Sequence, residues 1–171
     1  IGSDSRIGYS FIYPGAGYGG ACFSKDVKAI IHTARNIGVD PFLLDAVEKR
    51  NNHQKNKVFE YVKDKYGTDL SGKVFAVWGL SFKPETNDMR EAPAITLIKS
   101  LIKSGAEVNA YDPQAIEEAK FYLKGLDINY FENKYDALVD SDAVILVTEW
   151  KEFRSPDFIR MLNLMKGDVF I

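Results

Sequence analysis

The chain has 171 residues, 46% of them apolar, enough for one ordinary domain or a small domain with an appended helical unit. Its 22 basic and 24 acidic side chains leave a net charge of −2 with no block of either sign, which argues against nucleic acid or an anionic membrane as the main partner. A single cysteine excludes an internal disulfide framework and fits a reducing, cytoplasmic compartment, and no stretch approaches the roughly 20 apolar residues of a membrane span.

Residues 1–21 read as irregular and glycine-rich. The opening Ile1-Gly2-Ser3-Asp4 resembles neither a signal peptide nor a natural start, and Asp168 to Ile171 reads as a strand cut short, so a piece of a longer protein is expected. A helix is predicted over 23–36, closed by Gly38. Asp40-Pro41 predicts the next helix start, with Asp at the N-cap and Pro at the first helical position, and the pattern runs to about Lys65. The middle of that helix, Glu48 to Lys57, is almost wholly polar, either a solvated face or a helix joining two lobes or two subunits. A polar break at Gly67 to Gly72 divides the chain into 1–67 and 68–171.

Beyond the break the pattern changes. Strands are expected over 73–79, 107–111, 128–131, 143–148 and 169–171, and helices over 92–104, 115–123, 135–139 and 157–165. Alternating strands and helices, some strands being continuous apolar runs, predict an α/β fold with a doubly wound parallel sheet behind a central helical segment.

Three stretches carry chemistry. The first, Gly17-Tyr-Gly-Gly-Ala-Cys-Phe-Ser-Lys-Asp26, delivers the lone thiol of Cys22 to a helix start. A helix N-terminus and a nearby ammonium both favour thiolate, and Lys25 and Asp26 share a helical face with Cys22. The second, Gly79-Leu-Ser-Phe-Lys-Pro84 running on to Arg90-Glu91, is the loop after the first strand, where open parallel sheets bind ligands. At about twelve residues it exceeds the usual strand-to-helix length. Lys83 and Arg90 suit phosphate and Phe82 an apolar ligand surface, but the three-glycine dinucleotide fingerprint is missing. The third, Val147-Thr-Glu-Trp150, closes the strongest strand at the same edge. Asp112 ends the second strand, either where a ribose-binding acid would stand or as a helix cap. His32 and His53 have no ligand spacing around them, and no metal site is expected.

These three motifs, in this order and over essentially the whole chain, resemble the nucleotide-sugar dehydrogenases, the UDP-glucose/GDP-mannose dehydrogenase family. The resemblance implies the part that follows the NAD-binding domain: residues 1–67 as the cysteine loop and central dimerisation region, and 68–171 as a Rossmann-like UDP-sugar domain. It implies a two-step oxidation of a sugar C6 alcohol to a carboxylate with NAD, taking UDP-glucose to UDP-glucuronate for polysaccharide synthesis. Cys22 resembles the nucleophile that forms a thiohemiacetal and then a thioester, and Asp26 the carboxylate that positions or activates water. Lys25 and Arg90 resemble cofactor contacts. Phe82 and Lys83 resemble sugar-nucleotide contacts, Phe11 and the turn from Gly15 to Gly19 the wall around the substrate, and Arg6 an arginine reaching the substrate across a homodimer interface. Ala21 stands where the family commonly has serine and Ser24 where it commonly has proline. The family's NAD fingerprint is absent from this sequence, as are its lysine and asparagine partners for the oxyanion, so the 171 residues alone are expected to be inactive. GDP-mannose and UDP-N-acetyl-sugar dehydrogenases remain open at this point. So do a thiol acyl transferase, which would want a histidine base, and a non-catalytic sugar-nucleotide-binding or dimerisation module.

Overall fold

Short strands that are apolar at nearly every position can be satisfied only between two covering layers. The computed structural model, which describes residues 1–9 and 12–171, builds such a sheet. The elements run α1 (Ala21–Asn36), α2 (Phe42–Tyr66), β1 (Val74–Trp78), α3 (Pro93–Lys103), β2 (Glu107–Tyr111), α4 (Ile116–Tyr122), β3 (Asn129–Tyr130), β4 (Ala143–Leu146), α5 (Phe158–Leu164) and β5 (Val169–Phe170). Single 3-10 turns at Asp136–Leu138 and Lys151–Phe153 flank β4. All five strands are parallel, in the order β3-β2-β1-β4-β5.

The period-2 alternation of a strand sorts its side chains between two cores. Phe75 and Val77 of β1, Val108 and Ala110 of β2 and Ala143 and Ile145 of β4 pack with Val62, Leu97, Ile98 and Leu101 from α2 and α3. Ala76, Trp78, Tyr111 and Val144 face the other way, against Leu138, Phe153 and Met161. The sheet is therefore wound on both faces, as the alternation of predicted elements requires.

α2 is long because its two halves do different things. Its last turns carry Val58, Phe59, Val62 and Tyr66, all packed against the first core. The Tyr66 hydroxyl donates to the Asp142 carbonyl at 3.0 Å, and the Asp142 carboxylate in turn accepts from Lys73 Nζ at 2.9 Å and Val74 N–H at 3.0 Å. The helix end is thereby tied to the start of β1 and the start of β4. Gly67 follows with φ 85, ending the helix where expected.

The helix start differs from expectation. Pro41 occupies the N-cap position instead of Asp40, and its carbonyl accepts from Asp45 N–H at 3.0 Å. With ψ 37 Pro41 lies outside the helix, so it cannot be the first helical residue. The weak strand predicted over 128–131 shrinks to the two residues Asn129 and Tyr130 at the sheet edge. No helix among the described residues is long and apolar enough to cross a membrane.

Leu97 is fully enclosed between α2 and the sheet. Leu97→Ala is expected to cost about 2–5 kcal/mol of unfolding free energy, read from the midpoint shift in a urea titration.

Candidate active site

The order β3-β2-β1-β4-β5 places the switch in winding direction between β1 and β4, where the loops leaving the two strands part and open a crevice. A cleft of about 780 Å³ lies there. It is walled by Tyr13 to Tyr18 of the glycine-rich segment, by Leu43, Ala46, Val47, Arg50, Asn51 and Gln54 of α2, and by Phe82, Pro93, Val147, Thr148 and Glu149 at the sheet edge. A second lobe of about 770 Å³ shares Tyr13 to Ala16, Gln54, Val147 and Glu149, and extends to Lys57, Tyr61 and Arg154. Each lobe falls in the range of roughly 300–1,000 Å³ typical of small-molecule sites.

Asp112 shapes the sheet side of the cleft. Its side chain is buried, with the residue only 1% exposed. Oδ2 accepts from Leu80 N–H at 2.7 Å, Ser81 N–H at 3.2 Å, Ser81 Oγ at 3.3 Å and Trp150 Nε1 at 3.2 Å, and Oδ1 accepts from Gln114 and Ala115 N–H at 2.9 and 2.8 Å. The carboxylate holds the turn that leads into α4, whose N-cap is Ala115, and also staples the two loops that follow β1 and β4. All its acceptor capacity is taken, which removes it as a ribose-binding acid. Thr148 completes the staple, its hydroxyl donating to the Ser81 carbonyl at 2.6 Å. Gly79 is required at this crossing: with φ 89, an added Cβ would stand 2.6 Å from Thr148 N. In Thr148-Glu149-Trp150 the outer two residues therefore hold the loops together, and Glu149 faces the cleft.

The glycine-rich segment is held by the polar middle of α2. Asn51 Oδ1 accepts from Tyr18 N–H at 2.8 Å and its Nδ2 donates to Tyr18 O at 3.1 Å, so the amide pairs with the backbone as a neighbouring strand would. Gln54 Nε2 donates to the Gly15 carbonyl at 2.8 Å, and the Tyr18 hydroxyl donates to Glu48. Partial burial, and then that carboxylate, push the Tyr18 phenol up to about 12. The polar run Glu48 to Lys57 is thus neither a bare solvated face nor only a link between lobes. The signal was in the register: Val62 and Val58, continued back by 3 and 4 residues, reach Lys55 and Asn51, both buried.

The segment then turns into α1. Gly20, with φ 86, is its N-cap, and its N–H donates to Arg90 O at 2.7 Å. An added Cβ there would stand 2.9 Å from the Phe82 ring, and one at Gly19 2.6 Å from Glu91 O. The first motif is therefore laid directly on the second. Cys22 is exposed on the first turn of α1, contrary to the fate of an ordinary buried free cysteine. Lys25 and Asp26 are exposed beside it and paired at 3.3 Å. Arg90 chelates Asp88 with Nε and Nη2 at 2.7–3.1 Å. Those bonds, and the Asp88 charge itself, hold its guanidinium above its ordinary value.

The described residues that line the cleft include Gly15 and Phe82 of the expected site. They do not include Cys22, Lys25, Asp26, Lys83, Arg90 or Arg6, which stand on the rim or beyond it. Gly19 lies against Glu91 as noted. Lys83 Nζ sits 5.4 Å from the Phe82 ring centroid, and Arg6 is exposed and paired with Asp4 at 2.7 Å. Phe11 lies outside the described residues. Arg50, Asn51, Gln54 and Tyr13 were not singled out by the sequence; the register of α2 marks the buried face that holds Asn51, but not which loop that face meets.

Comparison with known proteins agrees with this arrangement of motifs. Residues 76–171 match the UDP-binding domain, and residues 1–53 the central domain, of a single family. The chain belongs to the UDP-glucose/GDP-mannose dehydrogenase family. It is 42% identical over its whole length to a UDP-glucose 6-dehydrogenase of Pseudomonas aeruginosa and 39% identical to one of Rhizobium meliloti. The chain spans 39% of the length of each. The solved structure of a UDP-glucose dehydrogenase from Pyrobaculum islandicum superposes with a TM-score of 0.84 at 28% identity, covering 99% of this chain and 40% of that one.

Two outcomes test the framework of the site. Asp112→Ala leaves the N–H groups of Leu80, Ser81 and Trp150 without their acceptor, and at about 1–3 kcal/mol for each orphaned buried donor the loss should reach about 3 kcal/mol or more in urea unfolding. Glu91, which bonds Lys28 at 2.8 Å and Lys55 at 3.1 Å, has its carboxyl held below the ordinary value by Lys28 first and Lys55 second. A depressed carboxylate contributes its full stability above the unfolded value of about 4.3 and loses it as pH falls through the lower folded value. An NMR titration of the Glu91 side-chain carbonyl should accordingly give a midpoint below about 4.3.

Proposed function

We propose that this chain supplies the sugar-nucleotide cleft and the reactive thiol of an NAD-dependent UDP-glucose 6-dehydrogenase, which forms UDP-glucuronate. The observation that carries the reading is the junction of the three motifs: the cysteine helix starts on the Arg90 carbonyl, in the loop that supplies Phe82 to the cleft and is stapled to Thr148. The relatives' names support UDP-glucose as the substrate.

The chain's own residues divide the work. The cleft takes the nucleotide, with Phe82 and Tyr13 as flat apolar surfaces, Arg50 as a cation for the diphosphate, and the Gly15 to Gly19 backbone close to the sugar. Cys22 Sγ adds to the C6 aldehyde, and the adduct, once oxidised, is an acyl thioester that water cleaves to the carboxylate. Asp26, one helical turn from Cys22, orients that water. The sheet's own crevice does not fit a dinucleotide, since the glycine fingerprint is missing and Asp112 is fully engaged. The exposed cations Lys25 and Arg90 do fit a pyrophosphate at the rim. NAD bound there would supply the hydride acceptor for both oxidations. The NAD-binding fingerprint is expected outside this sequence, so the 171 residues alone should yield no NADH. Residues 1–67 would also carry the homodimer contact, with Arg6 reaching the partner's substrate, and residues 68–171 the UDP-sugar contacts.

In the complete protein, limiting UDP-glucose with excess NAD should give two NADH per sugar. Cys22→Ala should lower turnover by about three orders of magnitude or more while UDP binding persists. One NADH per sugar, or a Cys22→Ala variant with near-normal turnover, would refute the thioester route.

A further inference from the structure

Glu91 is part of the second motif, yet neither the cleft nor the chemistry above uses it. Its backbone holds φ 56, a left-handed conformation that costs a non-glycine residue energy and persists only where the surroundings enforce it. The surroundings are the two helices α1 and α2. Oε1 accepts from Lys28 Nζ of α1 at 2.8 Å and Oε2 from Lys55 Nζ of α2 at 3.1 Å. The preceding carbonyl, Arg90 O, receives the Gly20 N–H at the start of α1.

Each partner leads to a different part of the site. Lys28 lies on the helix that presents Cys22. Lys55 lies one turn beyond Asn51, which lines the cleft and grips Tyr18. Glu91 itself ends the loop that supplies Phe82. The Lys55 side chain is only 7% exposed, so its ammonium depends on this carboxylate for compensation. One planar group with an oxygen for each helix fixes the separation between them more tightly than two independent surface pairs could. We propose that Glu91 is a positioning residue, a latch that sets Cys22 at its working distance from the sugar carbon held in the cleft. The proposal rests on Cys22 being the nucleophile.

The test uses the complete protein and the variants Glu91→Gln, Lys28→Met and Lys28→Arg. A displacement of the thiol by about an ångström should lower kcat by about 10- to 100-fold in Glu91→Gln and Lys28→Met. The Kd for UDP, measured by calorimetry, should stay within about threefold, since the cleft residues are untouched. Lys28→Arg, which retains the cation, should recover most of the rate. Lys28→Met leaves the Lys55–Glu91 pair in place and carries the test if Glu91→Gln does not fold. Unchanged kcat in either folded variant, or a UDP Kd that weakens in step with kcat, would overturn the latch and leave Glu91 a purely structural residue. A wild-type enzyme that fails to form two NADH per sugar would instead overturn the proposed function, and the latch with it.

Discussion

A carboxylate shut away from water needs a full set of donors, and Asp112 finds them in three loops at once. Donors at the carboxyl ends of β1 and β4, and at the start of α4, converge on a group that stands at the end of β2. Because all must reach the same two oxygens, the loops after β1 and β4 cannot drift apart. The crevice between them becomes a cleft with a rigid floor. Thr148 and the close approach at Gly79 act on the same crossing. Removing the carboxylate would loosen two walls together, so a buried residue outside the cleft lining helps to set the cleft's shape.

The other wall comes from outside the sheet. α2 contributes its apolar last turns to the core and its polar middle to the glycine-rich segment, so one helix sets the spacing between the sheet and residues 13–20. Side-chain amides of Asn51 and Gln54 serve a backbone that has no strand to pair with. Backbone polar groups beside a cleft must find partners or keep water, and here the partners also decide the cleft's shape.

The thiol is presented differently. Cys22 is exposed on a helix whose first turn is laid on the Arg90–Glu91 backbone, with close approach enforced by the two glycines before it. Lys25 on the same helix and Arg90 in the loop beneath it are both exposed and each is paired with a carboxylate, Asp26 and Asp88. The cleft and the exposed thiol are thus built on distinct elements joined through one loop.

The α/β class, the two-sided sheet and nearly every element were legible in the sequence, because strand runs such as Ala143 to Leu146 and the amphipathic pattern of α3 are local properties of the chain. The three motifs were legible as well, since rare residues at close spacing mark a turn or a thiol without reference to distant neighbours. What only the tertiary structure decided is which polar groups meet across long separations: that Asp112 serves loops 31 and 38 residues away and not a ribose, that Asn51 grips Tyr18, and that Glu91 bridges Lys28 and Lys55. A hydrogen bond has no periodicity in sequence. Its partners are chosen by where packing brings the backbone, and in this chain packing turned a polar helix face into the wall of a cleft.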